Sequence, residues 1–261
     1  ATSPPSSCPT CADGTVSVAG VSGGTAPYNY TNLTGLLPGP YCITVTDANG
    51  CTAQACATVG STACSVVASC SVVSNVSCNG GTDGSASVSA SGGGAPYTGT
   101  GSFTGLAAGT YTYSVADASG CTASCSVTIT EPAVLVATCS VTANVSCNGG
   151  SDGAASVSAS GGTAPYTGTG SFTGLAAGSS PYNVSDAHGC TASCSVTITE
   201  PAVLVASCSV QSNVSCNGGT DGSASVSASG GTAPYGGTGS FTGLAAGSYT
   251  YTVTDANGCT A

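Results

Sequence analysis

The chain has 261 residues, among them 40 glycines and 17 cysteines, with no Lys, Arg, Met or Trp and a formal charge of −10. A polyanion such as DNA, RNA or an anionic membrane surface needs basic groups to neutralise it, and only His188 and the amino terminus are on offer, which excludes nucleic-acid binding. No run of about 18 apolar residues offers a membrane span. Cysteines in this number and at regular spacings fit an oxidising compartment, so the chain is expected to be secreted, extracellular or at a cell surface. With no initiator Met and no basic leader, it reads as a mature chain or a fragment.

The first unit, residues 1–62, carries "CPTCADGTVSVAGVSGGTAPY" from Cys8, a diverged copy of text that then recurs. "NVSCNGGTDGSASVSASGG" begins at Asn75, a near-identical copy at Asn144 and another at Asn213, a spacing of 69. The units that follow are therefore 63–131, 132–200 and 201–261, the last without a final strand. Within a unit the pattern has period two. "ASVSAS" puts Ala155, Val157 and Ala159 on one face, and "YTYTVTD" aligns Tyr249, Tyr251 and Val253. Gly-Gly, Asp-Gly, Ala-Pro-Tyr and Asp-Ala-Asn-Gly punctuate these strands at short, even intervals. The expected fold class is all-β: tandem immunoglobulin-like antiparallel β-sandwich repeats of about 69 residues, with no helix.

The stretch "SVTITEPAVLVASCSV", residues 195–210, reads as a hairpin centred on Pro201. That register sets Cys194 opposite Cys208, Val196 opposite Ala206 and Ile198 opposite Leu204; about Pro132 it sets Cys125 opposite Cys139. The last strand of one unit would then run into the first of the next and couple them rigidly. A unit this small, with few large side chains, needs covalent staples. Pairing the Cys of "SCNGG" with that of "GCTA" gives Cys8–Cys51, Cys78–Cys121, Cys147–Cys190 and Cys216–Cys259. The hairpins give Cys56–Cys70, Cys125–Cys139 and Cys194–Cys208. Of the three left, Cys11–Cys42 is the preferred extra bridge, leaving Cys64 free or bonded to another chain. The lone C-x2-C at Cys8 and Cys11 lacks the second knuckle of a zinc site.

Catalytic chemistry has little to work with. His188 is the only histidine, and Asn49, Ser119 and Asn257 stand at its place in the other units, so neither an enzyme nor a cofactor is expected. Calcium candidates are Asp83, Asp117, Asp152 and Asp186, with Asn79 nearby in sequence, although Asp-Gly and Asp-Ala-Asn-Gly are ordinary turn sequences in which the Asp caps its own backbone. Six N-x-[ST] sequons occur, at Asn29, Asn32, Asn75, Asn144, Asn183 and Asn213, and Thr167, Thr169, Ser171 and Thr173 are candidates for O-linked sugars. Exposed β edges without Lys gatekeepers need covalent glycans, or ordered assembly that hides them.

The motifs "SCNGG-[ST]-DG-[SA]-A-S-V", "GLAAG-x-Y-x-Y-x-V-x-DA-x-GC" and "TITEP", in one fixed order, resemble the SprB-type repeat of large bacterial cell-surface adhesins, including gliding-motility adhesins. The resemblance implies a secreted, tandem, immunoglobulin-like β module in a surface or extracellular polymer. The chain departs from it in having "TGTGSFTG" where a tryptophan often follows the Pro-Tyr segment. The expected function is a structural subunit of a glycosylated extracellular filament, self-associating head to tail. The alternatives are an adhesin stalk presenting a separate binding domain, and a carbohydrate-binding module. The last requires an exposed aromatic platform, whereas Tyr111, Tyr113, Tyr249 and Tyr251 share strand parity with Val and are expected to be buried.

Overall fold

The computed structural model describes residues 1–6, 8, 9 and 11–261, and every regular element in them is a β-strand. Repeat 1 carries β1 (Gly14–Val16), β2 (Leu33–Leu36), β3 (Gly39–Thr46) and β4 (Thr52–Val59). Repeat 2 carries β5 (Val67–Ser74), β6 (Gly84–Ser91), β7 (Gly101–Leu106), β8 (Gly109–Ala116) and β9 (Thr122–Ile129). Repeat 3 follows the same plan with β10 (Val136–Ala143), β11 (Gly153–Ser160), β12 (Gly170–Leu175), β13 (Gly178–Ser185) and β14 (Thr191–Ile198). Repeat 4 has β15 (Val205–Ser212), β16 (Gly222–Ser229) and β17 (Gly239–Leu244). Its "YTYTVTD" segment makes only isolated bridges, Thr254 to Gly236 and to Thr260. The chain divides into two compact units, Ala1–Glu131 and Pro132–Ala261.

Repeats 2 and 3 are each built from a three-stranded and a two-stranded antiparallel sheet: β5-β6-β7 with β8-β9, and β10-β11-β12 with β13-β14. The serine-alanine-valine alternation explains why one side of each strand goes inward. In β6, Ala86 and Val88 are buried while Ser89 and Ser91 are exposed, and in β11 Ala155 and Val157 are buried in the same way. The two sheets share one core. In repeat 3, Val145 and Ala155 pack with Val196 and Ile198 of β14, and Leu135 and Val157 pack with Val184 of β13. The corresponding groups in repeat 2 are Val76, Ala86, Val127 and Ile129. Gly153 opens β11 because nothing larger fits: a Cβ there would lie 2.7 Å from both Ile198 Cγ2 and the Leu175 carbonyl oxygen.

The hairpin expected about Pro201 does not form. β14 pairs with β13, Tyr182 standing opposite Cys194, and β15 pairs with β16, Cys208 standing opposite Val226. Cys125 of β9 likewise stands opposite Tyr113, and Cys139 of β10 opposite Val157. The reason lies in the Glu-Pro step. The Glu200 carboxylate accepts a hydrogen bond from the Gly149 N–H at 2.6 Å, and the Pro201 carbonyl accepts one from Asn148 Nδ2 at 3.0 Å. Ala202 O then accepts from Gly231 N at 2.8 Å. The step is thus tied first to the Asn-Gly-Gly turn of repeat 3 and then to the Gly-Gly turn of repeat 4, and carries the chain between repeats instead of folding it back.

A feature unseen in the sequence recurs four times. The Ala-Pro bonds at Pro27, Pro96, Pro165 and Pro234 are cis. The Tyr that follows each donates its hydroxyl to the carbonyl of a glycine five residues earlier, as in Tyr166 to Gly161 O at 2.6 Å and Tyr97 to Gly92 O at 2.7 Å.

Candidate functional site

The residues with most chemistry in this chain are its cysteines and the turns that hold them. Each repeat closes a hairpin with Asp-x-x-Gly-Cys, and the aspartate organises the turn. Asp186 Oδ1 accepts from the backbone N–H groups of His188 (2.9 Å) and Cys190 (3.0 Å), while Oδ2 accepts from Thr163 N (2.9 Å). Asp117 does the same with Ser119, Cys121 and Gly94. Hydrogen bonds hold these carboxyls below the usual aspartate range, led by Thr163 for Asp186 and by Gly94 for Asp117. For Asp255 burial is the largest influence and pushes upward, but the N–H groups of Thr232, Cys259, Asn257 and Gly258 together outweigh it.

In repeat 4 this turn meets repeat 3. Cys259 is disulfide-bonded to Cys147 of the "SCNGG" turn, and Asn257 Nδ2 donates to the Ser146 carbonyl at 2.9 Å. Cys259 Sγ lies 3.6 Å from the same oxygen; a disulfide sulfur carries no proton, so this is a close packing contact and not a hydrogen bond. In the first compact unit the turn of repeat 2 meets the start of repeat 1. Cys121 is buried against Cys8 and bonded to Cys64, and Cys11 Sγ lies 3.3 Å from Ser119 O.

The cysteine framework differs from the expected one throughout. Cys70 on β5 bonds Cys125 on β9, and Cys139 on β10 bonds Cys194 on β14. These bridges tie the two sheets of one repeat and replace the expected Cys56–Cys70, Cys125–Cys139 and Cys194–Cys208. Cys56 bonds Cys42, directly opposite it in the β3-β4 ladder, and Cys8 bonds Cys11, which removes Cys11–Cys42 and Cys8–Cys51. With Cys121 held by Cys64 and Cys147 by Cys259, the pairs Cys78–Cys121, Cys147–Cys190 and Cys216–Cys259 are overturned, and Cys64 has a partner within its own unit. Cys78 and Cys190 are disulfide-bonded as well. Cys51, Cys208 and Cys216 are free and exposed. Cys70–Cys125 and Cys139–Cys194 join strands that face across a core, and Cys147–Cys259 joins turns that meet between repeats, where the expected pairing kept hairpin neighbours or the two turns of one repeat together; Cys42–Cys56 does join hairpin neighbours, but in the β3-β4 ladder.

The other candidates fall into place around this framework. Asp83 and Asp152 each accept from the backbone N–H of a serine, Ser77 at 3.0 Å and Ser146 at 2.9 Å. With Asp117 and Asp186 capping separate turns, no group of three or more His, Cys, Asp or Glu among the described residues could hold a metal ion. His188 is exposed in its turn. Asn29, Asn32, Asn75, Asn144, Asn183 and Asn213 are all exposed, as are Thr167, Thr169, Ser171 and Thr173. Asn75 and Asn144 accept backbone hydrogen bonds from Thr130 and Thr199 through Oδ1. Tyr113 is half-buried against Phe103, ring centroids 4.2 Å apart, and Tyr251 packs on Phe241 at 4.3 Å. Tyr111 donates to Ala107 O, and Tyr249 stands more exposed than the other three. Glu200, absent from every expectation, proves to be a positioning residue; its only sequence signal was the Glu-Pro pair that recurs at Glu131-Pro132 and Glu200-Pro201.

The SprB repeat matches residues 70–98, 139–167 and 208–236. No curated protein matches the sequence. Among solved structures, a crystal structure of a tetra-tandem repeat in the extending region of a large adhesion protein aligns over 88% of this chain and 82% of its own, at 16% identity and a TM-score of 0.28. No catalytic family is indicated. What these turns, strands and staples compose is a tandem, disulfide-rich array, and the chain carries three copies of the SprB repeat.

Proposed function

We propose that the chain is a structural subunit of an extracellular filament, assembled head to tail from immunoglobulin-like β-sandwich repeats spanning 1–62, 63–131, 132–200 and 201–261. The observation that carries this reading is the distribution of free thiols. Cys51, Cys208 and Cys216 are exposed and unbonded. Their counterparts one or more repeats away, Cys121 and Cys259 for Cys51, Cys70 and Cys139 for Cys208, and Cys147 for Cys216, are all in disulfides. These exposed thiols lie in the first and fourth repeats, and each offers a point at which a second chain can be joined covalently. The missing Lys gatekeepers support the same reading, since assembly covers edges that nothing else protects. Glycans at the exposed Asn, Ser and Thr sites complete the surface.

Negative-stain imaging of purified material tests it. Continuous fibres of many chain lengths are expected. Monodisperse short rods at high concentration overturn it in favour of a stalk region, and intact mass before and after deglycosylation reads the glycans separately.

A further inference from the structure

The "SCNGG" turns of repeats 2 and 3 contain the steps Asn79-Gly80 and Asn148-Gly149. Asn-Gly is a dipeptide prone to lose ammonia, because glycine has no Cβ to hinder attack by its nitrogen on the asparagine side chain. Neither residue is easily exchanged. Gly80 and Gly149 stand at φ 75° and 76°, a left-handed conformation that other residues rarely adopt, and Asn148 Nδ2 donates to the Pro201 carbonyl at 3.0 Å. Burial offers no shelter, since all four residues are exposed.

What the two turns share is a carboxylate on the attacking nitrogen. The Gly149 N–H donates to Glu200 Oε2 at 2.6 Å, and the Gly80 N–H donates to Glu131 Oε2 at 2.6 Å. We propose that Glu131 and Glu200 guard these steps against deamidation, and that Asn79 and Asn148 are the latent modification sites they protect. In the reaction the glycine nitrogen gives up its proton and attacks the asparagine Cγ. A C–N bond closes the succinimide, the Cγ–Nδ2 bond breaks, and ammonia leaves with that proton; water then opens the ring to aspartate or isoaspartate. A negative charge 2.6 Å from the glycine nitrogen opposes its deprotonation. Closure also swings that nitrogen toward Cγ, which breaks its bond to Glu200 and draws the Asn148 amide off Pro201 O. Both restraints in repeat 3 come from one Glu-Pro step, so the segment that the turn anchors protects the turn. Isoaspartate at Asn148 would add a methylene to the backbone and a charge beside Glu200, and so release the step. The inference stands apart from the filament reading and holds whether or not the chain forms fibres.

The test incubates the recombinant 261-residue chain in mildly alkaline buffer, beside a synthetic peptide of residues 145–153 carrying Cys147→Ser. Peptic mapping with mass spectrometry reads conversion at each asparagine, since trypsin has no Lys or Arg to cut. Asn79 and Asn148 are expected to convert at least about tenfold more slowly in the folded chain than the asparagine of the peptide, because a hydrogen bond to a charged group must break first. Glu200→Ala speeds Asn148 toward the peptide rate and leaves Asn79 at its parent rate; Glu131→Ala does the reverse. Conversion of Asn148 in the parent as fast as in the peptide overturns the proposal. So does a Glu200→Ala chain that keeps Asn148 at the parent rate, or one that speeds Asn79 equally, which is the mark of general loosening.

Discussion

The bridge between Cys139 and Cys194 decides which strands are covalent partners, so its removal is the most informative perturbation. It spans 55 residues. Closing a loop of that length in the unfolded chain costs about 14 cal/mol/K, so the double substitution Cys139→Ala/Cys194→Ala loses about 4 kcal/mol at 25 °C. For the compact unit Pro132–Ala261 that holds the bridge that is a fall in Tm of about 15 °C. Had Cys194 paired with Cys208 in a hairpin, the shorter loop would be worth about 3 kcal/mol and Cys208→Ser would destroy it. With Cys208 a free, exposed thiol, Cys208→Ser leaves stability within about 0.5 kcal/mol. Thermal and guanidinium unfolding followed by circular dichroism, for both variants beside the parent, reads the difference. A Cys208→Ser chain as weakened as the double variant, or a double variant as stable as the parent, would refute the cross-sheet assignment.

Other outcomes follow from single contacts. Gly153→Ala drives a Cβ against Ile198 and the Leu175 carbonyl, each 2.7 Å away, and costs about 1–3 kcal/mol in chemical denaturation; an unchanged midpoint contradicts the packing. Tyr166→Phe strands the Gly161 carbonyl and costs about 1 kcal/mol, where a surface tyrosine would cost nothing measurable. Asp47, Asp117, Asp152, Asp186, Asp221 and Asp255 all have lowered carboxyl pKa values. Their stabilisation is therefore fully present above the ordinary aspartate value of about 3.9 and is lost as pH falls through the lower folded values. Acid unfolding of Asp186→Asn, followed by circular dichroism, should show a limb less steep by one proton; an identical limb removes Asp186 from the account.

The repeats, the strands and their inward faces were legible because period-two alternation and Gly-rich punctuation act locally. Ala155, Val157 and Val253 are buried where alternation puts them. The turn role of Asp117 and Asp186 was legible for the same reason. Strand partnership was not. The text on either side of Pro201 is symmetric enough to close a hairpin on paper, and the inward parity of Cys194 is the same whether its partner lies beside it or across the core. What separates the two is a contact 51 residues away, Glu200 with the Gly149 N–H, and nothing in the local pattern reports it. The cis Ala-Pro bond and the tyrosine clamp behind it escaped in a similar way, because Ala-Pro-Tyr reads only as a turn until its hydroxyl finds Gly161.

The link from Cys147 to Cys259 has a mechanical meaning. It joins residues 112 apart in sequence, so tension entering before Cys147 and leaving after Cys259 passes through one S–S bond and bypasses everything enclosed. Roughly 370 Å of extended backbone is thereby withheld from stretching. Reduction would turn an inextensible shackle into a tether that pays out that slack, a difference visible as a new step in single-molecule pulling.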